Sequence, residues 1–109
     1  MAGRIERGEI RLVAFPPPDK PRPVLVLTRD SAIGYLSRVT VAPVTSSIRG
    51  VPSEVAIGPE DGVRQPSAVN LHNVLTIQKR DVGRRVARLS DDKMRDVCRA
   101  VAFVVGCDS

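Results

Sequence analysis

Short apolar segments alternate with turn-forming residues over most of the chain. They predict strands at residues 8–15, 23–28, 36–44, 53–57, 66–71, 75–77 and 86–89. Short strands at such regular spacing are typical of an antiparallel sheet that curls into a small barrel. Residues 30–34 are rich in turn formers, and residues 80–86, which Gly83 interrupts, are expected to form a single helical turn.

The segment 22–28 stands at the centre of this pattern. Arg22 is followed by Pro23 and then by a fully apolar run, Val24–Leu27. A proline restrains the preceding residue to an extended backbone and is tolerated at the first position of a strand. The run therefore predicts a strand that is buried on both faces, with Arg22 held at its beginning.

The first strand shows a different, alternating pattern. Ile10, Leu12 and Ala14 alternate with Glu9, Arg11 and Val13. This period of two predicts a half-buried strand in which only one of the two sets faces the core. The prolines of residues 16–21 cannot take part in a ladder, so they predict a stiff loop between this strand and Arg22.

The C-terminal segment has the strongest helical pattern. Ser90 is a preferred N-cap, acidic residues at 91 and 92 suit the first turn, and Gly106 suits the position after the last turn. Apolar side chains recur at helical spacing, at Met94, Val97, Cys98, Val101, Val104 and Val105. We expect this stripe to pack against the sheet, which gives a mainly β fold: a small antiparallel barrel with a C-terminal helix.

Length and charge narrow the class of protein. The 109 residues fit one domain, 1–109, and the net charge of +5 with a pI near 10.0 favours a polyanionic partner. Cys98 and Cys107 lack metal-site spacing, and along a helix they would lie roughly 13 Å apart, too far for a disulfide. Because no signal-like or membrane-spanning apolar run is present, we expect a cytoplasmic protein with no membrane association.

Few residue types are available for catalysis. A single histidine, His72, excludes a multi-histidine metal site, and no glycine-rich phosphate loop precedes a helix. Two loops supply the remaining candidates: Asp19, Lys20 and Arg22 in one, and Thr45, Ser46, Ser47 and Arg49 in the other. If the second and third strands are antiparallel, Arg22 at the start of one and Thr45 at the end of the next are neighbours.

Several segments, in this order, resemble the MazF/PemK family of toxin ribonucleases. They are Gly8–Ile10, Arg22–Leu27, Pro43–Ser47, Glu54–Ile57, Ser67–Val69 and Thr76–Arg80, and the likeness extends over about residues 6–105. The resemblance implies an SH3-like or plasmid-toxin-type barrel, a homodimer and a cognate acidic antitoxin. It also implies sequence-specific cleavage of single-stranded RNA without a metal or other cofactor, which inhibits translation and growth.

The resemblance also implies roles for individual residues. The family's catalytic arginine falls on Arg22 and its threonine on Thr45, where they would stabilise charge on a phosphate attacked by the RNA's own 2′-hydroxyl. Many relatives carry a glutamate in the first loop, where this chain has prolines and Asp19. Asp19 is either an acid/base carboxylate or a solvated loop residue, and we favour the second. The substrate-binding candidates are Lys20, Ser46, Ser47, Arg49, His72, Asn73 and Gln78.

Plainer interpretations of the same residues stay open. Arg22 could form an ion pair at a strand end, the hydroxyls of residues 45–47 could satisfy loop amides, and His72 could be structural. The basic residues between 79 and 88 could be a solvated face or could track RNA phosphates. Two other functions fit the same barrel: a non-enzymatic toxin that binds a protein target such as gyrase, and a plain RNA-binding module.

Overall fold

The computed structural model describes residues 4–14 and 20–108. The strands are β1 Glu9–Val13, β2 Arg22–Val26, β3 Arg38–Thr45, β4 Glu54–Ile57, β5 Ser67–Asn70, β6 Leu75–Gln78 and β7 Val82–Arg88. The helices are α1 Asp30–Ile33 and α2 Asp91–Val105, and short 3-10 turns lie at Pro59–Asp61, Leu71–Asn73 and Lys79–Asp81. The predicted fold class, mainly β with a C-terminal helix, is confirmed.

The seven strands form one antiparallel sheet. Its order is β4-β5-β3-β2-β1-β7, and β6 pairs with β3 beside β5. In the described part of the chain no ladder joins β6 to β7, so the sheet curls like a barrel without closing.

β3 is the longest strand and pairs along both of its edges. On one edge Val24 of β2 lies opposite Pro43, and on the other Val41 pairs with Leu75 of β6 and Val44 with Val69 of β5. The turn Leu71–Asn73 inserts extra residues between β5 and β6, which interrupts this second ladder beside Pro43. A proline has no N–H to donate and is typical of such an irregular place in a strand.

Two apolar clusters lie on opposite faces of the sheet because side chains alternate along each strand. The cluster beneath α2 contains Ile10, Leu25, Ala42, Val55, Ile57, Val69, Leu71, Leu89, Met94, Val97 and Ala100. The other contains Val13, Val24, Val26, Ile33, Val39, Val41 and Val82. Leu25 and Val26 are fully buried and Val24 is 3% exposed, so the prediction that the central strand is buried on both faces is confirmed.

The predicted two-sided pattern of β1 is wrong. Glu9 and Arg11 are only 3% and 1% exposed, and Val13 is buried as well, whereas Ala14 is exposed. The buried charges satisfy each other, since an Arg11 guanidinium nitrogen lies 2.7 Å from Glu9 Oε1, and Arg11 Nε donates to the Gly83 carbonyl at 2.7 Å. β2 and β7 pair with the two edges of β1. Both of its faces are packed, because Ile10 belongs to the cluster beneath α2 and Val13 to the cluster on the opposite face.

The connection before α2 also differs from the prediction. Only Lys79–Asp81 forms a turn, and β7 begins at Val82 rather than near Val86. Gly83 permits this strand because a Cβ there would lie 2.7 Å from the Leu12 carbonyl oxygen of β1. Residues 30–34, expected to be turn, contain the single helical turn of α1.

The ends of α2 are as predicted. Ser90 Oγ accepts a hydrogen bond from the Lys93 N–H, and Gly106 follows the last turn with a left-handed φ of 77°. Cys98 and Cys107 are free thiols, as expected from their spacing. Within the described residues, no helix is both long and apolar enough to cross a membrane.

The prediction that the whole apolar stripe of α2 packs on the sheet is wrong for three of its members. Met94 and Val97 are buried, but Cys98, Val104 and Val105 are exposed, Val105 by 63%. The sheet covers only part of the helix, and the uncovered side chains line an apolar groove of about 700 Å³ together with Leu27, Leu71 and Val74.

Candidate active site

The pairing of β2 with β3 brings two predicted site residues together. Val24 lies opposite Pro43 in this ladder, and continuing the register by two positions places Arg22 opposite Thr45. Both residues line one cleft of about 380 Å³, whose other residues are Pro23, Val24, Pro43, Val44, Ser46, Gln65, Ser67 and Leu75. The predicted proximity of Arg22 and Thr45 is therefore confirmed.

Arg22 presents an uncommitted guanidinium at this cleft. Its side chain is exposed, and among the described residues no hydrogen bond or ion pair engages it. Its backbone is fixed by the ladder between β1 and β2, where it pairs with Val13, and by the proline that follows it. The structure thus shows no strand-end ion pair for Arg22 within the described ranges, and it leaves the bidentate fork facing solvent for an anion.

Thr45 is half-buried and carries an oriented hydroxyl. Its Oγ1 accepts a hydrogen bond from the Ser47 N–H at 3.0 Å, so the plainer interpretation, a hydroxyl that satisfies a loop amide, is also correct. A hydroxyl has one donor and two acceptor sites, and the Ser47 amide occupies an acceptor site. The O–H proton of Thr45 therefore remains available to a ligand in the cleft.

The side chain of Glu54 fixes the backbone of the loop after β3 through hydrogen bonds. Its Oε1 accepts hydrogen bonds from the backbone N–H groups of Arg49 and Gly50, at 3.0 and 2.9 Å. Ser46 lines the cleft, while Ser47 contributes through its backbone amide. The side chain of Arg49 is exposed at the end of this loop.

Other predicted residues lie around or away from the cleft. Lys20 is exposed two residues before Arg22, and Asp19 lies outside the described residues. His72 and Asn73 are on the turn Leu71–Asn73 and do not line the cleft. The His72 ring is hydrogen-bonded through Nδ1 to Ser53 Oγ, a contact that fits the structural interpretation of this histidine.

Gln78 is the most distant of the predicted residues. It pairs with Arg38, which lies at the opposite end of β3 from Thr45. Seven strand positions at about 3.3 Å each correspond to roughly 23 Å. Within one copy of the chain, Gln78 therefore cannot contact a group held between Arg22 and Thr45.

Two polar residues of the cleft, Gln65 and Ser67, were missed by the sequence analysis. They precede and begin β5, which lies beside the end of β3 because Thr45 pairs with Ala68. This pairing joins strands that are distant in the sequence, and no local pattern marks it. The sequence offers one local signal for them: the polar residue Ser67 stands directly after Pro66, where the strand begins.

The cleft combines a cationic and hydroxyl-bearing rim with apolar walls. Its described lining residues carry one positive charge, that of Arg22, and neither a carboxylate nor an imidazole. Elsewhere in residues 4–14 and 20–108, no group of three or more histidine, cysteine, aspartate or glutamate side chains is placed to hold a metal ion. An arginine fork and a hydroxyl donor at one cleft can bind and stabilise a phosphate group.

Comparison with known proteins agrees with this arrangement. The chain is 45% identical over 87 residues to a probable endoribonuclease MazF5 of Mycobacterium tuberculosis, covering 79% of this chain and 80% of the relative. It is 35% identical over 104 residues to a probable endoribonuclease MazF2 of the same species, covering 94% and 100%. The solved structure of the M. tuberculosis toxin MazF-mt6 superposes with a TM-score of 0.83 at 35% identity, covering 93% and 99%.

The match to a protein family extends over the cleft and both cores. The model of the family described as PemK-like, MazF-like toxin of type II toxin-antitoxin system matches residues 6–105, which include β1–β7 and α2. The chain belongs to this family of PemK-like and MazF-like toxins.

Proposed function

We propose that this protein is the toxin of a type II toxin–antitoxin system and that it cleaves single-stranded RNA in the cleft between Arg22 and Thr45. Family membership and the endoribonucleases among its relatives support an RNA-cleaving activity. The observation that carries the site is the placement of Arg22 opposite Thr45, with both side chains at the same cleft.

The reaction needs no nucleophile from the protein. The 2′-oxygen of the RNA attacks the adjacent phosphorus and loses its proton, and the bond from phosphorus to the 5′-oxygen breaks. The products are a 2′,3′-cyclic phosphate and a 5′-hydroxyl, since the leaving oxygen takes up a proton. As attack proceeds, negative charge grows on the non-bridging phosphate oxygens. The fork of Arg22 can meet two of them, and the Thr45 hydroxyl can donate to one.

Proton transfer is assigned separately from charge stabilisation. Because a guanidinium holds its proton firmly in water, Arg22 is suited to stabilising charge rather than to accepting the 2′-proton. The described lining of the cleft carries no carboxylate. If a carboxylate of this chain accepts the 2′-proton, the candidate is Asp19, three residues before Arg22 in the sequence. Lys20 and Arg49 are proposed to hold flanking phosphates, and Ser46 and Ser47 to contact the backbone near the cut.

The charge and the exposed apolar side chains of the protein support the three partners that the family implies: RNA, an antitoxin and a second copy of the chain. The net charge of +5 favours both RNA and an acidic antitoxin, and we place the protein with them in the cytoplasm. The uncovered apolar side chains Val74, Val104 and Val105 support a homodimer, because burying such a patch removes apolar surface from water. Analytical ultracentrifugation should show a dimer of 11.8 kDa chains.

The relatives favour catalysis over the two binding-only alternatives. A gyrase-binding toxin or a passive RNA-binding barrel would not need an uncommitted arginine beside an oriented hydroxyl, and the curated relatives at 45% and 35% identity are named endoribonucleases. The three candidate functions therefore differ in whether the protein cleaves RNA, and RNA cleavage can be measured directly.

The test is cleavage of a defined single-stranded RNA in excess EDTA. We expect cleavage to continue, with 2′,3′-cyclic phosphate and 5′-hydroxyl ends at the cut. A matched RNA with one 2′-deoxynucleotide before the mapped cut should resist cleavage at that position only. Absence of cleavage would contradict the proposed activity, loss of activity in EDTA would contradict metal independence, and cleavage beside the deoxynucleotide would contradict 2′-hydroxyl attack.

A further inference from the structure

We propose that the side-chain amide of Gln65 reads the base next to the scissile phosphate and so helps to determine where the RNA is cut. This inference rests on the proposed function, because it assigns a specificity-determining residue to the same cleft. It concerns a residue on the far side of that cleft from Arg22.

The cleft extends across three neighbouring strands. Arg22 on β2 lies opposite Thr45 on β3, and Thr45 pairs on its other edge with Ala68 of β5, three residues after Gln65. Two strand spacings of about 4.8 Å separate the phosphate-binding side from the β5 side by roughly 10 Å. A nucleotide can therefore place its phosphate at Arg22 and Thr45 while its base extends toward Gln65.

The walls between these two sides are apolar. Val24 is 3% exposed, and Pro23, Pro43 and Leu75 are partly buried along the same cleft. Apolar walls suit the face of a base, and a cleft of about 380 Å³ lies within the range of small-molecule sites. A base held against these walls would turn its polar edge to the rim.

The loop that carries Gln65 is tied to the body of the protein. The Gln65 carbonyl accepts a hydrogen bond from Ser67 Oγ at 3.0 Å, and Val63 packs against the cluster beneath α2. Farther back, the Gly58 N–H donates to Asp61 Oδ2 at 2.9 Å, and Lys93 Nζ lies 3.7 Å from the same oxygen. A side chain that recognises a base needs such support, because a loosely held side chain discriminates poorly between bases.

The chemistry of the side chain suits a base better than a phosphate. A carboxamide is neutral and offers both donors and an acceptor, which can pair with the Watson–Crick edge of an unstacked base. Of the three side-chain amides considered as RNA contacts, Gln65 lines the cleft, whereas Asn73 does not and Gln78 lies roughly 23 Å along the sheet from Thr45.

The experiment compares cut-site preferences on a random-sequence RNA library. Wild-type protein, Gln65→Ala, Gln65→Glu, Asn73→Ala and the neighbouring control Arg64→Ala are each incubated with the library, and the product ends are sequenced. Arg64 is exposed and does not line the cleft. We expect Gln65→Ala to reduce the base preference at one position beside the cut by about fivefold or more. Gln65→Glu, which offers only acceptors, should shift that position toward bases that present an amino group.

The outcomes separate this inference from the proposed function. An unchanged preference in an active Gln65→Ala protein overturns the assignment to Gln65, and so does an equal change in Arg64→Ala, which would mean that the loop was merely disturbed. A preference at that position that depends on Asn73 and not on Gln65 also overturns it. A wild-type protein that does not cleave the library overturns the proposed function itself. Thermal unfolding of each variant verifies that it is folded.

Discussion

Replacing Thr45 by valine removes the hydroxyl while keeping the shape of the side chain. The Ser47 N–H loses its acceptor, but this contact is at the protein surface, where water can replace it. Pairing of position 45 with Ala68 involves the backbone and is unaffected. The substitution therefore tests the hydroxyl and little else.

The expected losses of stability and of rate differ widely. One exposed hydrogen bond contributes about 0.5–1.5 kcal/mol to folding, which lowers Tm by a few degrees at about 4 °C per kcal/mol in a chain of this size. Loss of a preorganised donor to the developing phosphate charge costs about 10²–10³ in rate. Thr45→Val should therefore remain folded and cut RNA at least a hundred times more slowly.

The assay is single-turnover cleavage of an end-labelled RNA that contains one mapped site. Thr45→Ser is the matched control, because it keeps the hydroxyl and should stay within about tenfold of the wild-type rate. RNA affinity, measured in parallel on an uncleavable 2′-deoxy analogue, should change little in either variant. A Thr45→Val protein that cleaves at more than a tenth of the wild-type rate would refute the role given to this hydroxyl.

Further predictions concern the buried pair and the first loop. Glu9→Ala leaves the buried guanidinium of Arg11 without its carboxylate and should cost about 3 kcal/mol of unfolding free energy in urea, whereas Glu6→Ala, which breaks an exposed pair, should cost less than about 1 kcal/mol. Equal costs would contradict this account. Since Asp19 is favoured as a solvated loop residue, Asp19→Asn should leave the cleavage rate and its pH profile nearly unchanged; a loss of about a hundredfold with a flattened acidic limb would instead make Asp19 the acceptor of the 2′-proton.

The sequence was sufficient to predict the proximity of the two proposed catalytic residues. A proline after Arg22 and the apolar run behind it set the start of β2, and the end of the next apolar segment set Thr45 at the end of β3. Because consecutive strands pair antiparallel, the start of β2 and the end of β3 lie side by side. The caps of α2 were predicted for a similar reason, since each depends only on neighbouring residues.

Features that depend on distant segments were not predictable in this way. The burial of Glu9 and Arg11 depends on the pairing of β7 with β1, which brings the carbonyl of Gly83, more than seventy residues away, to accept a hydrogen bond from Arg11. The exposure of Val104 and Val105 depends on how far the sheet extends beneath α2. Gln65 and Ser67 reach the cleft only because β5 pairs with the end of β3. No local periodicity contains that information.

The measurement that tests the central claim most directly is the cleavage rate of Arg22→Ala against that of Arg29→Ala. Arg29 is also an exposed arginine, but it follows the opposite end of β2 and does not line the cleft. Both proteins lose one positive charge, so a purely electrostatic contribution to RNA binding is matched. The account predicts that Arg22→Ala, still folded, loses at least a hundredfold in single-turnover rate at saturating RNA in EDTA, while Arg29→Ala keeps nearly the full rate. Cleavage by Arg22→Ala at the wild-type rate would contradict it.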